Sequence, residues 1–458
     1  MAQGPPAARP VPGAATIAAR FDNFKAAVEV GKGHIEREHD NRERRYQRFD
    51  EHAAQASAQG SEREAALRRL AEREEQGLLA KCKVWTTADF EQVDILGEGS
   101  FGIVHLVKLA GTEDYYALKQ IQKSAYKKKN SRERVYAERD ILAERRSRWF
   151  VQLLATFQDA DYVYMAMEFL QGGDLLYHLI RRGRFTASET CFYMAELLEA
   201  LDTVHSCGFV HRDVKPDNIV LSASGHLKLL DFGLCKHQAR ARGHQPEAST
   251  RRQQLQSLVG TPMYMAPDVL EGAYGKEVDI WSFGVIVFEC LTGRTLFDGD
   301  GGGSDVLHRV TLQIQRHEEV VPELLHLARS QRLLPPSAEQ LLLGVLRERA
   351  ERLTAQQCRE EPFFFGIDFP RLHLETPPFK IAVVSPGDAR YFDDREKKKL
   401  EGRYKLPAPN ASELALQDEN LEWAHYEYDR RAQELQDPEV SMSGLFAREA
   451  GQELLAAI

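Results

Sequence analysis

The amino-acid sequence predicts an α+β protein with a small lobe rich in β-strands, a larger helical lobe and a cleft between them. Residues 90–123 alternate between apolar and polar side chains in three short runs, as antiparallel strands do, and further strand-like runs follow at 153–158 and 162–169. After Gly172 and Gly173 the pattern is mainly helical. Clefts between lobes commonly bind small ligands.

Composition narrows the class of protein. The chain has 458 residues, enough for two or three structural units. Its net charge of -9 argues against non-specific nucleic-acid binding and suits a basic partner or substrate. Its six cysteines form no CxxC pair, which predicts reduced thiols and a cytoplasmic or nuclear location. No apolar run is long enough for a membrane span.

The pattern changes several times along the chain. The Ala/Pro/Gly-rich start predicts disorder, with a transit peptide as the alternative because Arg9 and Arg20 precede the first acidic residue, Asp22. Two charged helices are expected next, ahead of the strand-rich part. The predicted regions are a disordered terminus (1–19), a helical region (20–89), the two-lobed domain (90–365), a tail (366–435) and a segment without a functional interpretation (436–458).

A glycine-rich motif lies between the first two predicted strands. Glycines without Cβ atoms let a hairpin backbone approach phosphates, whose oxygens the N–H groups can bind. A plain glycine hairpin or a dinucleotide-binding turn has the same spacing, but a strand continues after Val104, which disfavours the turn. The residues predicted to surround the phosphates are Gly97, Glu98, Gly99, Ser100, Phe101, Gly102 and Val104.

A lysine on the next strand has a candidate partner. Ala117 and Lys119 lie on the predicted third strand, and Glu138 lies in the charged helix that follows. An ion pair between Lys119 and Glu138 would hold the lysine against the α- and β-phosphates of a nucleotide. The alternative is that Glu138 is one of many charges on an exposed helix.

The third motif has the residues that phosphoryl transfer needs. It runs from His211 to Asn218 and is followed by Asp231-Phe232-Gly233. Asp213 would accept the hydroxyl proton, and Lys215 would place a positive charge near the transferred phosphate. Asn218 and Asp231 would supply oxygen ligands to Mg²⁺ from the two ends of a short hairpin.

In this order, the three motifs resemble the signature of protein kinases over residues 90–365. The resemblance implies the bilobal kinase fold, ATP and Mg²⁺. Lys215, two residues after Asp213, resembles serine/threonine rather than tyrosine kinases. Asp268 stands where the family usually has Glu, so its expected ion pair with Arg352 should be loosened.

The sequence also resembles the AGC group of kinases, through the stretches 168–174 and 231–236 and the tail. By that likeness Met167 is the gatekeeper, and Glu168 begins the adenine-binding hinge. Asp174 would contact ribose or a basic substrate residue, and Asp217 would contact basic substrate residues. Phe392 would belong to the tail segment that crosses the ATP cleft.

Within that group the chain resembles the NDR/LATS branch. The likeness rests on a basic stretch before Ser257, on the Arg-bearing helices before the kinase domain and on the aromatic tail. It implies that Ser257 is the activation-loop phosphosite and that the helices bind a Mob-type co-activator. The alternatives for the helices are a solvated coiled coil and a membrane-surface helix, the second of which their mixed Glu and Arg residues disfavour. Glu427 replaces the usual Thr of the hydrophobic motif, so the tail should dock constitutively on the small lobe. The motif residues are Trp423, Tyr426, Glu427 and Tyr428.

The predicted function is transfer of the ATP γ-phosphate to Ser or Thr of protein substrates near basic residues, in NDR/LATS-like signalling that controls the cell cycle or morphogenesis. A pseudokinase scaffold is the first alternative, but the residues whose loss marks one, Lys119, Asp213 and Asp231, are all present. A different AGC kinase with unrelated N-terminal helices is the second.

Overall fold

The computed structural model describes residues 46–51, 63–70, 85–99, 102–126, 129–144, 147–237, 262–271, 275–297, 306–392, 405–407, 423 and 426–430. The chain divides into two compact units. One comprises residues 1–84 and 410–458, and the other comprises residues 85–409.

In the first unit, residues 46–51 (α1) and 63–70 (α2) are helical, as predicted for this region. Phe49, Ala66 and Leu70 form a small apolar cluster, and Tyr46 packs against it. Leu67 is 39% exposed, because Ala66 and Leu70, four residues apart, define the buried face of α2. The unit also contains the short strand Tyr428–Asp429.

The small lobe of the second unit is an antiparallel sheet, as its alternating sequence predicts. Its elements are β1 Phe90–Gly99, β2 Gly102–Leu109, β3 Tyr115–Gln122, α3 Lys129–Glu144, β4 Leu153–Gln158 and β5 Tyr162–Glu168. Neighbouring strands follow the order β1-β2-β3-β5-β4.

Stacked aromatic rings cover one part of this sheet. Trp85 stacks on Phe90 at 5.6 Å, Phe90 on Phe157 at 5.7 Å, and Phe157 on Tyr164 at 4.8 Å between ring centroids. Because Trp85 begins this stack, the compact unit starts there and not at Phe90, where the sequence pattern changes.

The larger lobe is helical, with a short hairpin of β7 (Ile219–Leu221) and β8 (Leu227–Leu229) and a separate pairing of β6 (Phe209–Val210) with β9 (Lys236–His237). Its central helix, α7 (Glu277–Thr292), is mainly apolar and buried along almost its whole length, as expected of a core helix. Within the described ranges, no helix is long and apolar enough to cross a membrane. The bounds are α4 Leu175–Arg182, α5 Ala187–Ser206, β6 Phe209–Val210, β7 Ile219–Leu221, β8 Leu227–Leu229, β9 Lys236–His237, α6 Pro267–Glu271, α7 Glu277–Thr292, α8 Val306–Gln315, α9 His317–Ser330, α10 Pro336–Val345 and α11 Ala355–Glu360.

The segment after residue 365 packs against both lobes. Phe379 is 2% exposed and contacts the rings of Phe185 and Tyr193 in the helical lobe. Further along, the backbone N–H of Leu406 donates to Gln92 in β1, at 2.9 Å. The predicted boundary at residue 365 therefore falls inside a compact unit.

Candidate active site

The sheet register places the predicted nucleotide-binding side chains on one face. Val104 in β2 lies opposite Lys119 in β3, and Ala117 in β3 lies opposite Met167 in β5. Residues directly opposite each other in antiparallel strands point to the same side, and so do alternate residues of one strand. Val104, Ala117, Lys119 and Met167 therefore line the same face.

The glycine-rich motif forms the β1–β2 hairpin, with Gly99 paired to Gly102 and Gly97 to Val104. Gly102 has φ +146°, and a Cβ atom there would lie 2.1 Å from the backbone oxygen of Gln120. A glycine is thus required by the close approach of β3. The exposed Glu98 belongs to the same hairpin, whereas Ser100 and Phe101 lie outside the described residues. A hairpin here excludes the dinucleotide-binding turn, which opens a helix.

Lys119 and Glu138 form a buried ion pair. The ammonium of Lys119 donates to Glu138 Oε1 at 2.7 Å and to Oε2 at 2.9 Å, and Asp231 Oδ1 lies 3.8 Å from the same nitrogen. Burial disfavours the charged lysine, but the two carboxylates outweigh it and raise the Lys119 pKa above its ordinary value. Glu138 is 3% exposed, so the alternative of an exposed helix charge is wrong.

The predicted base and its neighbours are in contact. Lys215 Nζ donates to Asp213 Oδ2 at 2.8 Å, and Asn218 Nδ2 donates to the same oxygen at 3.0 Å. Although burial opposes it, the Asp213 carboxylate raises the pKa of Lys215, which therefore stays cationic at neutral pH. The two donors fix the carboxylate of Asp213 relative to the loop that carries it.

A buried carboxylate from the central helix α7 braces this loop. Asp279 accepts the backbone N–H groups of His211 at 2.9 Å and Arg212 at 2.8 Å, and the Nε2–H of His205 at 2.7 Å. Arg212 has φ +68°, which is uncommon for a residue with a side chain. The two accepted N–H groups hold the backbone in this conformation, one residue before Asp213.

The predicted metal ligands lie at the two ends of the β7–β8 hairpin, which the backbone N–H of Leu230 closes by donating to Asn218 at 2.8 Å. Because the Asn218 amide nitrogen donates to Asp213, its Oδ1 atom is the one available to a cation. Phe232 is fully buried against Phe150. An amide oxygen and a carboxylate are hard ligands that suit Mg²⁺.

The hinge is held from two sides. Glu168 Oε1 accepts the backbone N–H of Gln152 at 2.7 Å and the ammonium of Lys228 at 2.5 Å. Phe169, the next residue, stacks on Phe392 of the tail at 5.7 Å. The tail residue predicted to cross the cleft thus contacts the hinge. No sequence pattern predicts the contacts of Lys228 and Phe169, because only the fold brings their partners near.

Asp174 has a structural contact in addition to its predicted binding role. Its Oδ1 accepts the backbone N–H of Tyr177 at 2.6 Å and so caps the first turn of α4. A variant that removes this cap would also destabilise α4, which limits the substitutions useful for testing the predicted role.

Asp268 and Arg352 meet as the sequence predicts, with 2.9 Å between Oδ2 and Nη2. However, Asp268 Oδ2 is buried and lacks a well-aligned hydrogen bond, since the distance to Arg352 is short but the donor direction is poor. The guanidinium donates instead to the backbone oxygens of Arg347 and Glu277. The shorter carboxylate reaches the cation but does not align with it.

We expect Asp268→Glu to stabilise the protein, because one more methylene lets the carboxylate align with the Arg352 guanidinium. The free energy of unfolding should rise by about 1 kcal/mol, which corresponds to roughly 1–2 °C in the thermal midpoint of a unit that spans residues 85–409. Differential scanning calorimetry measures it. Asp268→Asn, which removes the charge, should lower the midpoint, and a Glu variant that unfolds at or below the wild-type temperature would contradict the interpretation.

Some predicted regulatory residues are only partly described. Ser257 and the basic stretch before it lie outside the described residues, so the phosphosite stays a prediction. Trp423 and Tyr426 are buried and contact each other edge to face at 5.8 Å. Glu427 is exposed and Tyr428 is half-buried. The predicted docking of the tail also stays a prediction.

Comparison with known proteins agrees with this geometry. The protein kinase domain family matches residues 90–364. The serine/threonine-protein kinase CBK1 of Pneumocystis carinii is 35% identical over 77% of this chain and 76% of its own length. The probable serine/threonine-protein kinase ndrB of Dictyostelium discoideum is 32% identical over 73% of this chain and 68% of its own length.

The chain spans a variable share of its curated relatives. The CBK1 of Debaryomyces hansenii is 35% identical over 77% of this chain, but only 56% of that relative is covered. The family model nevertheless matches residues 90–364, which is more than half of the chain. The chain therefore belongs to the protein kinase family, among the serine/threonine-protein kinases of the NDR/LATS type.

Proposed function

We propose that this chain transfers the γ-phosphate of ATP to Ser or Thr residues of proteins, with Mg²⁺ as cofactor. A protein kinase domain implies the use of ATP and typically of Mg²⁺. The observation that carries the proposal is the assembled ion pair: Lys119 holds Glu138 at 2.7 Å while its ammonium lies 3.8 Å from Asp231. Phosphoryl transfer depends on this arrangement.

The described residues have distinct roles in this reaction. Lys119 would bind the α- and β-phosphates, and Asp213 would accept the proton of the substrate hydroxyl as it attacks. Lys215 would offset negative charge on the transferred phosphoryl group. Asn218 and Asp231 would hold Mg²⁺, which supplies charge neutralisation at the phosphate oxygens when bound.

The test is transfer of labelled phosphate from ATP·Mg²⁺ to three peptides that differ only in a central Ser, Thr or Tyr among arginines. We expect label on the Ser and Thr peptides and none on the Tyr peptide. If no peptide is labelled, even after a Mob-type protein is added and Ser257 is phosphorylated, the proposal is wrong and a scaffold that binds nucleotide becomes the better explanation.

The preference for basic substrates has its own test. Asp217 is exposed, so Asp217→Lys should remove attraction for substrate arginines without disturbing the core. Asp174→Asn keeps an oxygen that can cap α4 while removing the charge. We expect the two together to raise KM for an arginine-rich peptide roughly tenfold, with a smaller change for a neutral peptide. Equal changes for both peptides would refute the assignment.

We also propose that the N-terminal helices bind a Mob-type co-activator. Support comes from the helical stretches 46–51 and 63–70 and from arginines on their surface, with the Arg63 and Arg68 side chains 52% and 74% exposed. Purified Mob protein should be retained by the full chain and lost when Arg63 and Arg68 are both changed to Glu. If neither the wild-type chain nor the double variant retains the Mob protein, the chain is better explained as a different AGC kinase with unrelated N-terminal helices.

A further inference from the structure

His178, in helix α4, contacts both ends of one tail segment. Its imidazole lies 5.3 Å from the ring of Phe379 and 5.7 Å from the ring of Tyr391, centroid to centroid. The side chain is 6% exposed. The first and last residues of segment 379–391 therefore both contact His178, which anchors the two ends of the segment.

The same imidazole is bonded to the hinge. His178 Nε2 lies 2.7 Å from the backbone oxygen of Gly172, and since a carbonyl only accepts, this nitrogen donates the hydrogen bond. Gly172 is itself packed tightly, because a Cβ atom there would lie 2.6 Å from the backbone oxygen of Leu221. His178 thus joins a fixed point of the hinge to the tail.

Between these anchors the tail follows the hinge closely. Gln171 Nε2 donates to the backbone oxygens of Ser385 and Pro386, each at 2.8 Å. Gly173 has φ +70°, and a Cβ atom there would lie 2.5 Å from the backbone oxygen of Tyr391. Tyr391 immediately precedes Phe392, whose ring stacks on the hinge. The position of Tyr391 therefore sets the position of Phe392.

We propose that His178 is a positioning residue for nucleotide binding. By tying the hinge carbonyl of Gly172 to the rings of Phe379 and Tyr391, it fixes Phe392 against Phe169 and thereby sets the affinity for ATP. This inference rests on the proposed function and extends it to a residue in α4 that is hydrogen-bonded to the hinge. It acts through the tail rather than on the reacting atoms.

The electrostatic surroundings suit a neutral imidazole in this role. Burial lowers the pKa of His178 and nearby Arg182 adds to the effect, although the bond to Gly172 opposes both. The Arg182 guanidinium lies 3.9 Å from the centroid of the Phe379 ring. A neutral ring with its one proton on Nε2 can donate to the Gly172 carbonyl, stack on Tyr391 and contact the tilted ring of Phe379 without a charge to desolvate.

A double-mutant cycle tests the coupling. His178→Phe keeps an aromatic ring but removes the hydrogen bond to Gly172, and Phe392→Ala removes the stack on the hinge. We expect each change alone to weaken binding of a fluorescent ATP analogue, and to raise KM for ATP, roughly three- to tenfold, with kcat and peptide KM within about twofold. Combined, the two should weaken binding no more than Phe392→Ala alone.

Multiplicative effects in the double variant would overturn the proposal, as would a fall in kcat with unchanged affinity for ATP. His326→Phe, on an exposed face of α9, is the matched control and should leave affinity unchanged. Thermal unfolding of each variant is measured first. If His178→Phe is unfolded at the assay temperature, His178→Gln replaces it, because glutamine keeps an N–H donor but lacks the ring. His178→Gln should weaken binding of the ATP analogue in the wild-type background but not in the Phe392→Ala background.

The readout separates this inference from the proposed function. Affinity for the ATP analogue is measured without phosphate transfer. A wild-type chain that binds the analogue but labels no peptide would refute the proposed function and leave the cycle interpretable. A chain that labels peptides but shows multiplicative effects would refute only the role of His178.

Discussion

Asp213→Asn should lower kcat for peptide phosphorylation by about 10²–10⁴-fold while leaving affinity for ATP within a few-fold. The amide has almost the same shape as the carboxylate, so its oxygen can still accept the bonds from Lys215 and Asn218, at 2.8 Å and 3.0 Å in the wild type. It cannot accept the proton of an attacking hydroxyl. The loss should therefore appear in the chemical step.

Single-turnover transfer of labelled phosphate measures this effect, and binding of the ATP analogue measures nucleotide affinity separately. Asp368→Asn makes the same chemical change at an exposed position away from the site and should retain wild-type kcat. If Asp213→Asn keeps more than a tenth of the wild-type rate, another group accepts the proton and the assignment of the base is wrong.

The parts of the site that the sequence predicted are those whose residue types and spacing reflect the chemistry. Lys119 and Glu138 could be paired because a lysine on a strand and an acid on the next helix are needed around phosphates, and they meet at 2.7 Å. The hairpin between Asn218 and Asp231 followed from two short apolar runs. The strands themselves followed from alternation of apolar residues.

The parts that the sequence did not predict are contacts between distant segments. Nothing local in the sequence relates His178 to Tyr391 or Lys228 to Glu168, which meet only because the tail and β8 pass beside the hinge. The missing hydrogen bond of Asp268 depends on one methylene and on the direction of the Arg352 guanidinium. Such details need side-chain positions, which composition and periodicity do not contain.

Asp279→Asn should lower both the stability of the protein and the rate of phosphate transfer. Asp279 is fully buried, and its two oxygens accept three N–H groups, from His205, His211 and Arg212. An amide replaces one acceptor with a donor, so at least one buried N–H group would face another donor. We expect the free energy of unfolding to fall by about 3 kcal/mol, measured by urea denaturation at pH 7. The rate should fall too, because Arg212 loses the carboxylate that holds its left-handed backbone.

The pH dependence of this effect has a defined sign. Burial alone would raise the pKa of Asp279, but the donors from His205 and the loop outweigh it and hold the pKa below its ordinary value. A lowered pKa contributes stability that is fully present above the ordinary aspartate value of about 3.9 and is lost as the pH falls through the lowered one. The difference between wild type and Asp279→Asn should therefore narrow as the pH falls below the ordinary aspartate value.

A matched variant, Asp202→Asn, shows whether the effect of Asp279→Asn comes from the lost support of the catalytic loop or from removing any carboxylate. Asp202 is half-exposed and pairs with Arg359 at 2.9 Å, a surface ion pair whose removal should cost less than about 1 kcal/mol. Asp202→Asn should therefore leave both stability and kcat near the wild-type values. If Asp279→Asn behaves in the same way, the carboxylate of the central helix does not hold the catalytic loop. If it loses stability and rate together, the strained backbone of Arg212 is maintained by a residue 67 positions away, whose contribution lies in accepting three hydrogen bonds rather than in the chemistry.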